Sequence, residues 1–162
     1  MSIRTLQAAR GTEHENSTTE GSIARHTFTA GSLTPGKVYD ISGGMVVVDN
    51  NSTDTLTLAV RFGSSATVTS NTACGTSNAV DVADSDFATI AAKLHVVSAT
   101  RAVLSGYISA PDAANTQACY PIMQVLTIAA ATTYYLDWTA DWSVAHADNE
   151  CAAESFAVIE IA

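Results

Sequence analysis

The feature that most constrains the fold is a segment, residues 132–144, in which apolar and polar side chains alternate without interruption. Period two is the signature of a β-strand, because successive side chains of a strand point to opposite faces. Both tryptophans of the chain fall on the apolar side, so the segment predicts a long strand with one face buried in the core or against another subunit. The residues of that face are Tyr134, Leu136, Trp138, Ala140, Trp142 and Val144.

From Ile23 to the last residue, the sequence consists of short apolar runs separated by Gly, Pro, Asn and Asp, a pattern that also predicts strands. A turn every 8–12 residues or so is typical of β-sandwiches and barrels. Residues 44–48 and 55–62 are joined by a polar turn and predict a hairpin. The apolar ending, which contains Phe156, Val158 and Ile161, should be tied into a sheet. We therefore expect an all-β protein whose residues 23–162 form a single antiparallel β-sandwich.

One segment has helical rather than strand spacing. Phe87, Ile90, Ala91 and Leu94 recur at intervals of three and four residues behind the capping candidates Asp84 and Ser85. This pattern predicts a short helix over residues 84–94. We expect at most this one.

The amino-terminal residues 1–22 are polar, mixed in charge and without period, which predicts an extended arm. The arm has no apolar run that could serve as a signal peptide, and no later segment has about eighteen consecutive apolar residues. We expect a product made and kept in the cytosol, with no membrane partner.

The chain has 7 basic and 16 acidic residues, a net charge of −9. Such a charge repels phosphate backbones, which disfavours nucleic acid as a direct partner. Three cysteines at long spacings, Cys74, Cys119 and Cys151, suit neither a disulfide framework nor a CxxC metal site. We interpret them as buried or incidental thiols.

Patterns that carry catalysis are missing from the sequence: it has no GxSxG, HExxH or glycine-rich phosphate loop. We expect a non-enzymatic protein without a cofactor. His146, Asp148 and Glu150 alternate and could offer a metal one nitrogen and two carboxylates, but this spacing is common by chance, and surface roles are favoured.

Two further groups of residues could form a functional site but are better explained by a structural role. Asp137 and Asp141 are about 13 Å apart by strand rise, too far for a paired-carboxylate glycosidase, so a solvated face explains them. Tyr134, Trp138 and Trp142 could form a sugar-stacking platform if their face were exposed. Alternation with polar residues favours the core instead.

The pattern of residues 132–138, followed by a polar loop and the ending 156–162, resembles the last two strands of trimeric jelly-roll domains. Such domains occur in tumour-necrosis-factor and C1q-like modules and in structural proteins of tailed bacteriophages. With its short polar arm and its small, acidic domain rich in Ala, Thr and Ser, the chain is similar to the capsid decoration, or cement, proteins of phages. The pattern itself covers about forty residues.

This resemblance implies a jelly-roll-like sandwich that forms a homotrimer on the outer surface of the virion capsid, after synthesis in the host cytoplasm, where it binds the major capsid protein. It brings no catalytic residues. In the arm, Arg4 and Arg10 would meet acidic shell surface, with Ile3 and Leu6 as apolar anchors. The core or subunit-contact strands would supply Tyr134, Leu136, Trp138, Trp142, Phe156, Val158 and Ile161.

Two other functions remain open. The first is a receptor- or glycan-binding tip or small fibre protein of a phage, since such tips use the same trimeric jelly rolls. Fibre tips usually follow a long shaft, whereas only about twenty residues precede this domain, which favours the decoration protein. The second is a small β-sandwich hydrolase whose acids the sequence does not reveal.

Overall fold

A computed structural model describes residues 6–7, 10–51, 53–111 and 116–162, and nearly all of its regular structure is β. The expected all-β sandwich is confirmed. A single 3₁₀ turn, Val68–Ser70, is the one helical element in these ranges. The strands are β1 Leu6–Gln7, β2 His14–Glu15, β3 Gly21–Phe28, β4 Val38–Asp49, β5 Thr55–Gly63, β6 Thr72–Thr76, β7 Val80–Asp81, β8 Phe87–Ser98, β9 Arg101–Pro111, β10 Gln117–Thr127, β11 Tyr134–Trp142 and β12 Glu150–Glu160.

The twelve strands of the described ranges form two antiparallel sheets. The seven-stranded sheet has the order β1-β12-β4-β8-β9-β10, with β2 also paired to β12. The five-stranded sheet has the order β3-β11-β5-β6, with β7 paired to β5. The chain changes sheet between β3, β4 and β5 and again between β10, β11 and β12, so both sheets are built from strands that are distant in sequence.

The change of sheet corrects one expectation from the sequence. β4 and β5 do not form a hairpin, because β4 pairs with β12 and β8, whereas β5 pairs with β11, β6 and β7. The polar turn between them carries the chain across the sandwich. A turn rich in Asp and Asn marks a reversal of direction, but it does not determine whether the next strand pairs with the previous one.

The predicted buried face of residues 132–144 is confirmed from Tyr134 to Trp142, where it forms the centre of the core, but Val144 lies beyond the end of β11 and is 44% exposed. β11 lies between β3 and β5, and its Leu136, Trp138 and Trp142 are at most 1% exposed. Phe156 and Val158 of β12 approach from the opposite sheet and are also buried. Ile161 lies beyond β12 and is 44% exposed, although its N–H donates to Val38 O at 2.8 Å.

The predicted helix over residues 84–94 is wrong, because most of this segment belongs to strand β8. Its buried residues alternate strictly, and Phe87, which the helical pattern placed inside, is 58% exposed. Alanines account for the error: Ala88 and Ala92 complete a period-two apolar face that larger residues alone do not reveal. Pairing with both β4 and β9 then selects the strand. The buried residues are Ala88, Ile90, Ala92, Leu94 and Val96.

The described part of the predicted arm lies on the sandwich. β1 and β2 both pair with β12, and between them the Gly11 N–H donates to Ala153 O at 2.7 Å. A side chain at Gly11 could not fit, because a Cβ there would lie 2.1 Å from Ile23 O. The polar sequence does predict a segment without a core of its own. The structure adds that this segment pairs along the edge of β12.

Candidate functional site

The surface best suited to contact another molecule is the outer side of β8, β9 and β10. It carries five of the eight large apolar side chains that are exposed in the described part of the chain. Met123 and Val125 of β10 are 77% and 56% exposed, and Tyr107 of β9 is 44% exposed beside its pairing partner Pro121. We call this surface, defined by Phe87, Val97, Tyr107, Met123 and Val125, the β8–β10 face.

The charges on the β8–β10 face are few and basic or paired. Lys93 forms an ion pair with Asp40 of the neighbouring strand at 2.6 Å. His95 and Arg101 are exposed on the same strands. Apolar area that carries little charge can leave water with a small desolvation cost, which is the composition expected at the centre of a protein interface.

Much of the negative charge lies instead at the end of the sandwich where β4 ends and β5 and β8 begin. Hydrogen bonds from Asn50 N to Asp84 Oδ1 at 2.9 Å and from Asn149 Nδ2 to Asp54 Oδ2 at 3.0 Å tie these loops together. The acidic side chains of these loops are Asp49, Asp54, Asp81, Asp84, Asp86 and Asp148. A strongly acidic chain therefore has one face that is poor in carboxylates.

The outer side of the five-stranded sheet is different, because it carries ion pairs that are wholly or partly buried. Asp137 is fully buried and accepts hydrogen bonds from Arg25 Nε at 2.7 Å, Arg25 Nη2 at 3.2 Å and Ser22 Oγ at 2.8 Å. Arg25 also lies over the ring of Tyr135, 4.8 Å from its centroid. The expectation of a solvated face for Asp137 is wrong.

A second ion pair, which is partly buried, joins Glu20 to the same sheet. Arg61 Nε and Nη2 donate to the two carboxylate oxygens of Glu20 at 2.7 and 2.6 Å, and the Thr139 hydroxyl donates to Glu20 Oε1. Burial alone would raise the pKa of Glu20, but these hydrogen bonds outweigh it, and the pKa is lowered. Glu20 stays ionised and fixes the amino-terminal segment to β5 and β11.

His14 completes this network. Its side chain is 8% exposed, and its Nε2 makes no hydrogen bond with the described part of the chain. Burial lowers the pKa of His14, against the opposing effect of the carboxylates of Asp141 and Glu20. Burial also raises the pKa of Asp141, which is only partly buried. Trp142 Nε1 donates to His14 O at 3.2 Å, so the residue is held by the core as well.

The proposed arm contacts fall in different places. Ile3 and Arg4 lie outside the described residues, and Leu6 pairs with Ala157 of β12. Arg10 forms ion pairs with its own chain, at 2.6 Å to Glu13 Oε1, 2.9 Å to Glu154 Oε1 and 3.6 Å to Glu150 Oε1. Its guanidinium therefore already interacts with carboxylates of the same chain.

The other candidate sites do not assemble. His146 Nδ1 lies 3.6 Å from Asp148 Oδ2, while Glu150 faces Arg10. Among the described residues, no group of three or more His, Cys, Asp or Glu side chains is placed to hold a metal ion. The sugar-stacking platform is wrong, because Trp138 and Trp142 are buried.

All three cysteines are free thiols, and two of them are buried. Burial raises the pKa of Cys74 to about 11 and that of Cys151 to about 12, so both stay protonated. Cys119 is exposed on β10.

Sequence reasoning missed the β8–β10 face, although β10 carries a signal for it. Ile122 and Leu126 point inward, while Met123 and Val125 point outward. A strand that is apolar on both sides needs a second surface to cover it or leaves one side exposed. Apolar residues on both faces of residues 122–126 were therefore the available clue.

The chain gives no match to any protein-family model, to any curated protein or to any solved structure. In the part of the chain that the structure describes, no helix has the length and apolar character needed to cross a lipid bilayer.

Proposed function

We propose that this chain is a non-enzymatic virion structural protein: a homotrimeric capsid decoration protein that binds the outer surface of a phage head and stabilises contacts between major capsid proteins. The observation that carries the proposal is the β8–β10 face, an apolar and nearly uncharged surface on a chain of net charge −9. The all-β sandwich supports it, because the sequence resemblance implies a fold of this class.

In this proposal the β8–β10 face is the contact between copies. Tyr107 and Met123 are residue types enriched at interfaces, and their side chains are exposed on this face. A stable contact needs about 800 Å² from each partner, which requires the neighbouring small residues of the three strands as well. Three copies related by a threefold axis close into a ring and leave no such face exposed.

The capsid contact would then come from the rest of the trimer surface. A trimer can touch several shell subunits at once, so that contacts that are weak singly add through effective concentration. Ile3 and Arg4 remain the proposed arm contacts. Because residues 6–7 and 10–21 are part of the sandwich, a deletion that tests the arm should stop before Leu6.

The capsid proposal is tested by adding the purified chain to undecorated heads of the virus that encodes it and sedimenting them. We expect saturable binding, a higher melting temperature of the heads, and weaker binding when residues 2–5 are deleted. Undiminished binding of that variant would remove the arm from the mechanism. No binding of an intact trimer would remove the decoration function and leave self-association in place.

A further inference from the structure

A cleft lined by uncharged polar groups opens between the two sheets at the end opposite the acidic loops. One wall is the connection from β5 to β6, residues 63–72, and the other is the end of β10, residues 124–127. Its volume is about 430 Å³, within the range of sites that hold small molecules. Tyr134 lies at its base, and its ring stacks on Phe62 with the centroids 5.2 Å apart.

The chemistry of the lining is uniform. None of the residues around the cleft is charged, although the chain as a whole is strongly acidic. The side-chain hydroxyls of Ser64, Ser70, Thr72 and Thr127 make no hydrogen bond within the described part of the chain. Each hydroxyl can both donate and accept, and Gln124 adds an amide. These groups can bind a ligand without breaking bonds they already make.

The wall that carries the serines is held in place before any ligand binds. The Asn71 side chain bridges Ser65, accepting from its N–H at 3.0 Å and donating to its O at 2.9 Å. Arg61 Nη1 donates to Asn71 O at 2.8 Å while its other nitrogens hold Glu20. The loop is thus fixed to the buried charge network, so binding need not order it.

The lining selects among ligand classes. An anion would meet no cationic side chain in this lining and a cation would meet no carboxylate, and Val125 is the one exposed apolar side chain among the lining residues. A neutral polyhydroxylated ring matches the lining, since its hydroxyls also donate and accept. We propose that this cleft binds a neutral saccharide unit. Val125 belongs to both the cleft and the β8–β10 face, but binding of a sugar needs no capsid, so the site would stand without the function proposed above.

The test is a titration of the full-length protein followed by amide chemical shifts, with glucose, galactose, mannose and N-acetylglucosamine as probes and inorganic phosphate as the charged comparison. We expect at least one sugar to give saturable shifts, at millimolar concentration, confined to residues 63–72 and 124–127. The double variant S70A/T127A should weaken that binding about tenfold, because two hydrogen bonds are lost.

The control variant is T53A, which removes an exposed hydroxyl from the turn between β4 and β5, at the opposite end of β5 from the cleft, and should bind as the parent chain does. Three results would overturn the proposal: no saturable shift with any of the four sugars, equal binding by S70A/T127A and the parent, or phosphate saturating the same amides at the same concentrations. Unchanged spectra of both variants elsewhere would show that they are folded.

Discussion

Asp137 and Arg25 face each other across two paired strands, and the carboxylate of Asp137 is fully buried while the side chain of Arg25 is 32% exposed. Two nitrogens of the guanidinium reach the carboxylate, at 2.7 and 3.2 Å. Water therefore cannot reach the carboxylate of Asp137, whereas Arg25 contacts both this carboxylate and the solvent. This asymmetry determines how each partner should respond to substitution.

Removal of Arg25 should destabilise the fold more than removal of a basic residue from an exposed ion pair. R25A leaves the Asp137 carboxylate buried with the Ser22 hydroxyl as its remaining side-chain partner, and an uncompensated buried charge costs about 3 kcal/mol. Urea unfolding measures the loss. The matched control is K93A, which removes one partner of an ion pair whose side chains are 57% and 51% exposed and should cost less than about 1 kcal/mol. Equal losses for the two variants would contradict this account.

The two core tryptophans should differ when each is shortened to phenylalanine. Trp142 Nε1 donates to His14 O, whereas Trp138 Nε1 makes no hydrogen bond with the described residues. W142F should therefore lose about 1 kcal/mol more than W138F in urea unfolding. It should also speed tryptic cleavage after Arg10, because His14 holds the amino-terminal segment. Faster cleavage in W138F than in W142F would contradict the assignment.

Stability should fall as the pH decreases from 7.5 to 6.0. Burial lowers the pKa of both His14 and His26 in the folded chain, so the unfolded chain takes up protons first as the pH passes 6.5. Each histidine should contribute a loss of up to about 0.8 kcal/mol at pH 6.0. Urea midpoints at the two pH values measure the effect, and H26Q should reduce it. A midpoint that rises on acidification would show that these histidines are not the groups that titrate.

The sequence predicts the parts of the fold that repeat regularly with large residues. The alternation through Trp138 and Trp142 determines both the strand and its buried face, because a strand is the structure that buries five alternate apolar side chains in line. The strand β8 was not predicted, because alanine contributes little to an apolar pattern. The spacing of Phe87 and Ile90 also matches that of a helix. Local spacing was ambiguous there, and only pairing with both neighbours resolves it.

The candidate surfaces were less accessible to sequence reasoning, since they depend on what covers each sheet. Asp137 has the pattern of a solvated residue, and its burial follows from contacts with Ser22 and Arg25, more than 110 residues away. Met123 has the pattern of a core residue, yet nothing in the described chain covers it. Covered and uncovered sheet faces differ by tertiary contacts, which a single sequence does not encode locally.

The central claim is that copies of this chain associate through the β8–β10 face. V125D places a charge on that face, and V144D places the same charge at a comparably exposed valine after β11, away from it. The most direct measurement is the molar mass by light scattering at micromolar concentration. The account predicts three times the 16.8 kDa chain mass for the parent and for V144D, and a monomer for V125D. A monomeric parent, or a V125D variant that stays trimeric, would contradict it.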